Sequence, residues 1–239
     1  VSYTNVDYVA ITNYDGYFDN RKCYTYSTAN EVFTPTSAAN ADRSCPTANS
    51  EWSGNLLNWL TMTNLDQFRS VMTGGTRDDF STKSGTHPGD TTARTVLIRS
   101  FSDRTGYNPN KRIRTNTPGV PTGLRTVDRW VRSAGYGSKF IINNVNNNWA
   151  DWDATDQRDT CANTPSPGAA GTSSCFNVRV EVCIAAGGVP REANCQAKYS
   201  GVAKPEGLIQ EYANALRFGA FGYLNQSGND RSGGVLRSA

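Results

Sequence analysis

The run Trp52-Ser-Gly-Asn-Leu-Leu-Asn-Trp-Leu-Thr-Met-Thr-Asn-Leu-Asp66 constrains the fold of this chain more than any other segment, because a helix start, an amphipathic period and a stop coincide there. With Leu56 at the origin and about 100° of turn per residue, Leu57, Leu60, Leu65, Phe68, Val71 and Met72 share one half of the helical wheel, and Trp59 and Met62 fall off it. Ser53 stands where an N-cap hydroxyl takes up a free backbone N–H, and Gly74-Gly75 supplies the stop. The spacing predicts one helix from Trp52 to Met72, with Leu57, Phe68 and Met72 in the core. Trp59, off that face, is expected to pack against another element, the Tyr14 to Phe18 segment. The aromatic and methionine stripe reads as core packing rather than as a ligand box.

At 239 residues the chain is long enough to bury a substantial core, and it reads as a single domain. The apolar fraction is 37%, while Asn and Thr together make up about a fifth of the residues, which favours long polar loops. A net charge of +3 on 24 basic and 21 acidic residues lacks the basic excess of a nucleic-acid binder. The local basic run Lys111-Arg-Ile-Arg114 reads as a solvated turn after Asn108-Pro-Asn110. No apolar run approaches the ~18 residues of a transmembrane helix, and the opening residues do not read as the charged-then-apolar pattern of a signal peptide.

Six cysteines with no Cys-x-x-Cys pair, beside a single histidine, point away from zinc and toward disulfides, hence to an oxidising compartment and export. Fifteen pairings are possible. The preferred set is sequential, Cys23 with Cys45, Cys161 with Cys175 and Cys183 with Cys195, each closing a short loop for about 3 kcal/mol in the chain-entropy model.

Along the chain, Tyr3, Tyr8, Tyr14, Tyr17 and Phe18 around Asp15-Gly16 suggest a short hairpin or two edge strands. Residues 27 to 51 read as a loop tied by Cys45, and Thr91 to Ser100 as a strand. Residues 101 to 175 read as a polar insertion, with short strands at Arg125 to Arg132 and Lys139 to Val145 and with Trp130, Trp149 and Trp152 as apolar anchors. Val178, Val180, Val182 and Ile184 alternate with polar partners in a period of two, the clearest strand signal in the chain. Pro205 opens a helix to about Leu216, and Arg217 to Leu224, apolar on both faces, reads as a central strand.

Several of these segments carry a resemblance. Tyr14-Asp-Gly-Tyr-Phe-Asp19, Lys22-Cys-Tyr24, the Trp52 run, Gly74-Gly-Thr-Arg77, Thr95-Val-Leu-Ile-Arg99, Val178-Arg-Val-Glu-Val-Cys183, Asn194-Cys195, Lys204-Pro-Glu-Gly-Leu-Ile-Gln210, Arg217-Phe-Gly219 and Gly233-Gly-Val-Leu-Arg237 stand in the order found in one family. The chain resembles the N-terminal region of the PilC/PilY family, the large tip-located adhesins of bacterial type IV pili. It departs from the family at Leu56 and Leu60, where Phe and Ala are expected, and over roughly residues 100 to 175. The resemblance implies an α/β fold with a partial von Willebrand factor type A-like three-layer core, carrying the loop-rich, disulfide-stapled insertion. It also implies an exported protein at the cell surface, on the pilus tip, contacting minor pilins on one side and a surface or host-cell ligand on the other.

Neither the Asp-x-Ser-x-Ser adhesion motif nor a β-propeller with its calcium loop is present, and Asp230-Arg-Ser-Gly-Gly234 lacks the second hydroxyl ligand. With no start Met and a strand-like end at Val235 to Ala239, the chain reads as a piece of a longer protein that could hold calcium elsewhere.

For chemistry, the sequence offers little. His87, the one histidine, lies in the loop-like Ser84-Gly-Thr-His-Pro-Gly89 with no nucleophile elbow, so no catalytic residue, cofactor or enzyme activity is expected. Asp151, Asp153 and Asp156, with Asp159, form a carboxylate run that calcium could use, although the spacing and central Gly of an EF-hand are absent. The alternative function is a lectin-like carbohydrate-binding module, for which Trp149 and Trp152 would supply stacking faces to a sugar ring.

Overall fold

A computed structural model of the chain describes residues 7–78, 89–99, 111–134, 139–143, 173–223 and 234–238. The first structured turn of chain, residues 8 to 20, is a loop rather than a hairpin. The hairpin comes next. Strands β1 (Lys22–Ser27) and β2 (Val32–Ala38) pair antiparallel, so the stretch read as a loop from residue 27 contains a strand. Strand β3 (Glu51–Ser53) pairs with β1 on its other side.

The helix predicted as one rod is two. Helix α1 (Gly54–Thr61) is buried along its whole length, and α2 (Asn64–Thr73) buries only Asp66. Between them Met62 is extended, and Thr63 starts a new helix through a capping box: its hydroxyl accepts from Asp66 N, while Asp66 accepts from Thr63 N. Gly74, at a φ of 80°, ends α2 as its position in the sequence implies. The break rotates the second half of the wheel away from the core. Leu57 is buried, but Phe68 and Val71 are 62% and 58% exposed and Met72 is half-buried. Ser53 does occupy the N-cap of α1, although its side chain makes no cap hydrogen bond.

Strands β4 (Val96–Ile98) and β9 (Arg179–Glu181) complete a five-stranded sheet in the order β3-β1-β2-β9-β4, antiparallel except for the β2–β9 pairing. Strands β5 (Lys111–Ile113), β6 (Arg129–Ala134), β7 (Lys139–Asn143) and β8 (Ser173–Asn177) form a second, antiparallel sheet in that order. The segment read as a polar insertion thus contributes strands to the body of the protein. Only Val178 separates β8 from β9, so one extended run passes from the second sheet into the first, and the strand read from Val178 to Ile184 is observed over Arg179–Glu181 alone. Phe33 and Trp52 from the first sheet meet Phe140 and Phe176 from the second, with Phe140 and Phe176 stacked at 5.1 Å and Trp52 edge-on to Phe176 at 5.2 Å.

Near the end, β10 (Cys195–Gln196) pairs with β11 (Lys204–Pro205), and α3 is a single turn, Leu208–Glu211, instead of a helix to residue 216. Strand β12 (Ala220–Tyr223) pairs with β13 (Gly234–Ser238) and, among the described residues, forms a two-stranded ribbon instead of the central strand read from the sequence. Helices covering both faces of a sheet go with mostly parallel strands. The described sheets are mainly antiparallel, so the fold is mixed α/β and the three-layer type A arrangement is not seen among the described residues.

Candidate functional site

The site is built on two asparagines of α1 that share one face at a spacing of three. Asn55 Oδ1 accepts from Tyr14 N at 2.9 Å, and its amide donates to Thr12 O at 2.9 Å and to Tyr8 Oη at 2.9 Å. Asn58 Oδ1 accepts from Phe18 N, and its amide donates to Tyr14 O at 2.8 Å and Phe18 O at 2.7 Å. Buried backbone groups of a loop need partners, and here a buried helix supplies them through its side chains. Gly16 lets the loop close down: a Cβ there would lie 2.2 Å from Met62 Cγ and 2.3 Å from Asn58 Oδ1.

The next wall comes from the far end of the chain. The fully buried Lys22 Nζ donates to Ile184 O at 2.8 Å and to Glu192 Oε1 at 2.9 Å, and lies 3.5 Å from Asp19 Oδ2. Glu192 Oε2 also accepts from Cys183 N at 2.7 Å, inside the loop closed by the Cys183–Cys195 disulfide. Burial pushes the Asp19 carboxyl up, but hydrogen bonds from Arg21 and the charge of Lys22 outweigh it and hold the group below its ordinary value.

Between the Asp15 to Arg21 loop, the Gln67, Ser70 and Val71 face of α2 and the Glu192-Ala193 turn lies an open groove of about 710 Å³. Phe18 and Val71 are its apolar part, and Asp15, Asp19, Glu192 and Arg21 its charged part. No local pattern announces this site, because its three walls come from segments far apart in the sequence. The paired asparagines are its one legible trace.

Behind α1 sits a second polar cluster with a structural role. Trp59 is fully buried, with its ring 5.5 Å from Tyr8 and Lys111 Nζ 5.2 Å above it, so its neighbours are Tyr8 and β5, while Asn55 and Asn58 are what meet the Tyr14 to Phe18 segment. Lys111, expected in a solvated turn, is 1% exposed and donates to Trp59 O. Burial, then the charge of Arg99, holds its amine well below the usual lysine range. Arg99 Nε lies 3.7 Å from Asp66 Oδ2, both buried.

Cys23 is bonded to Cys45 and Cys183 to Cys195, and Cys175 is disulfide-bonded with its partner outside the described residues. Cys183, Glu192 and Cys195 bring ligand-type atoms within 4.8 Å of one another, but the two sulfurs are joined and offer no thiolate to a metal. Asp151, Asp153, Asp156, Trp149, Trp152, Cys161 and His87 lie outside the described residues. Among the described residues no helix is long and apolar enough to cross a membrane.

A family model described as "PilY1 homolog, small alpha/beta domain" matches residues 5–151. Two proteins of Xylella fastidiosa (strain Temecula1 / ATCC 700964), each named "Type IV pilus biogenesis factor PilY1 homolog", are similar along nearly the whole chain. One is 32% identical over 97% of this chain and 19% of its own length, the other 27% identical over 94% and 16%. The chain therefore spans less than a fifth of the length of either relative. No solved structure matches it. On the extent of the family match and the identity to these relatives, the chain belongs to the PilY1 homolog family.

Proposed function

We propose that this chain is a binding and assembly region of a type IV pilus biogenesis protein, exported and placed at the pilus tip, where it contacts minor pilins and a surface or host-cell ligand. The observation that carries the reading is the 32% identity, along 97% of the chain, to a protein named as a type IV pilus biogenesis factor. Disulfides at Cys23–Cys45 and Cys183–Cys195 suit an exported protein, since such bonds persist in oxidising compartments. The role is one of shape and surface without a catalytic centre. The groove beside α2 holds carboxylates already committed to Arg21, Lys22 and a backbone N–H, which suits holding a partner better than moving protons.

The test uses the full-length protein in piliated cells. Leu57→Asp places an unpaired charge in the core and is expected to abolish surface pili, whereas His87→Ala is expected to leave piliation and attachment unchanged, both counted by electron microscopy. Normal piliation with Leu57→Asp, or its loss with His87→Ala, would overturn the reading.

A further inference from the structure

We propose that the Cys183–Cys195 staple, once reduced, becomes a binding site for a thiophilic divalent cation of zinc's class, held by Cys183 Sγ, Cys195 Sγ and Glu192 Oε2 with water in the fourth position. In the oxidised chain the site is closed, because joined sulfurs present no thiolate. The site is independent of the binding role above.

The ligand-type atoms of the three residues lie within 4.8 Å of one another, and Cys195 Sγ is 3.6 Å from Glu192 Oε2. Tetrahedral zinc, with bonds of ~2.3 Å to sulfur and ~2.0 Å to oxygen, spaces its ligand atoms about 3.5–3.8 Å apart, so only the two sulfurs must part. They stay neighbours, because the bonds that fold the 183–195 segment do not use the disulfide. Ala186 and Val189 exchange both backbone hydrogen bonds, Cys195 N donates to Glu192 O, and Cys195 lies opposite Pro205 in the β10–β11 pair. Gly187 packs against β2, where a Cβ would lie 2.2 Å from Ala38 N.

Charge and surroundings fit the same ion. Two thiolates and the Glu192 carboxylate carry three negative charges, and the cation with the Lys22 ammonium carries three positive ones. Asp19, the other carboxylate near Lys22, is paired with Arg21. Lys22 donates to Glu192 Oε1, while Oε2 accepts Cys183 N with one lone pair and keeps another for the cation. Such outer hydrogen bonds orient a carboxylate that ligates a metal. Cys183 is half-buried whereas Cys23 and Cys45 are buried, so a dithiol reductant reaches Cys183 Sγ more readily than the Cys23–Cys45 bond. Its thiolate bonds to that sulfur and Cys195 leaves as a thiolate; the second thiol then displaces Cys183 as a thiolate, closing the reductant's own disulfide. The cation takes the place of the protons the two thiols would carry.

The experiment opens the bond in the whole chain with dithiothreitol, removes the reductant without oxygen and titrates with Zn²⁺ alone. Reduced chain is expected to bind Zn²⁺ at least about a hundredfold more tightly than oxidised chain. Bound Zn²⁺ is expected to shield Cys183 and Cys195 from alkylation, mapped by mass spectrometry, with the circular dichroism spectrum kept. Cys195→Ser is expected to abolish this binding, and Glu192→Gln to weaken it about tenfold. Shielding of other cysteines in place of these two, equal binding by the oxidised chain, Glu192→Gln binding as tightly as the wild type, or loss of the folded spectrum when the Cys183–Cys195 bond opens would overturn the proposal.

Discussion

The side chain of Asn58 closes both polar groups of Phe18 at once, with Oδ1 accepting from Phe18 N at 3.1 Å and Nδ2 donating to Phe18 O at 2.7 Å. A helix amide thereby replaces the strand that would otherwise pair with this loop. Asn58→Ala strands the Phe18 N–H and the Phe18 and Tyr14 carbonyls, and is expected to cost about 3–5 kcal/mol by urea denaturation. Asn58→Asp should be worse still, because it turns an acceptor toward two carbonyls. A cost below about 1 kcal/mol for the alanine variant would mean the loop finds other partners.

Leu57 and Phe68 test the break between the helices. A single rod would bury both, whereas the observed break buries Leu57 and exposes Phe68. Leu57→Ala is expected to cost about 2–5 kcal/mol and Phe68→Ser less than about 0.5 kcal/mol. Comparable losses in the two thermal melts would restore the single helix.

Lys22 is expected to behave as a buried ionic bridge. Lys22→Met leaves Glu192 and Asp19 without its charge and should cost about 3 kcal/mol, while adding Glu192→Gln should cost less than the sum of the two changes. Additive losses in a double-mutant cycle would show that the two side chains do not act together.

Lys111 gives a pH signature. Its amine, lowered in the folded protein, compares with an unfolded value of about 10.4. Between the two values the unfolded chain binds the extra proton, so stability rises with pH there, and the penalty is complete below the folded value. Lys111→Met removes this dependence. Relative to the wild type, the variant's stability should fall as pH rises toward the unfolded value of about 10.4. A difference constant over that range would place the proton equally in both states.

Much of the local structure was legible, and the reasons are local. Gly74 as a helix stop, the strands around Arg129, Lys139 and Val180, and disulfides between near neighbours such as Cys183 and Cys195 all depend on short-range patterns. The break at Met62-Thr63 was also written in the chain as Thr63-x-x-Asp66, but a wheel drawn across sixteen or so positions hides a restart of phase. Burial of Lys111 was not legible. It depends on Trp59, 52 positions away, and on Arg99, and a basic run carries no mark of what lies over it. The groove is opaque for the same reason, since Phe18, Val71 and Glu192 meet only in the folded protein.

Immunogold labelling of piliated cells with an antibody raised against this chain tests the central claim most directly. Gold confined to the distal ends of pili is the predicted result, and gold spread evenly along the shafts, or absent from pili altogether, would contradict it.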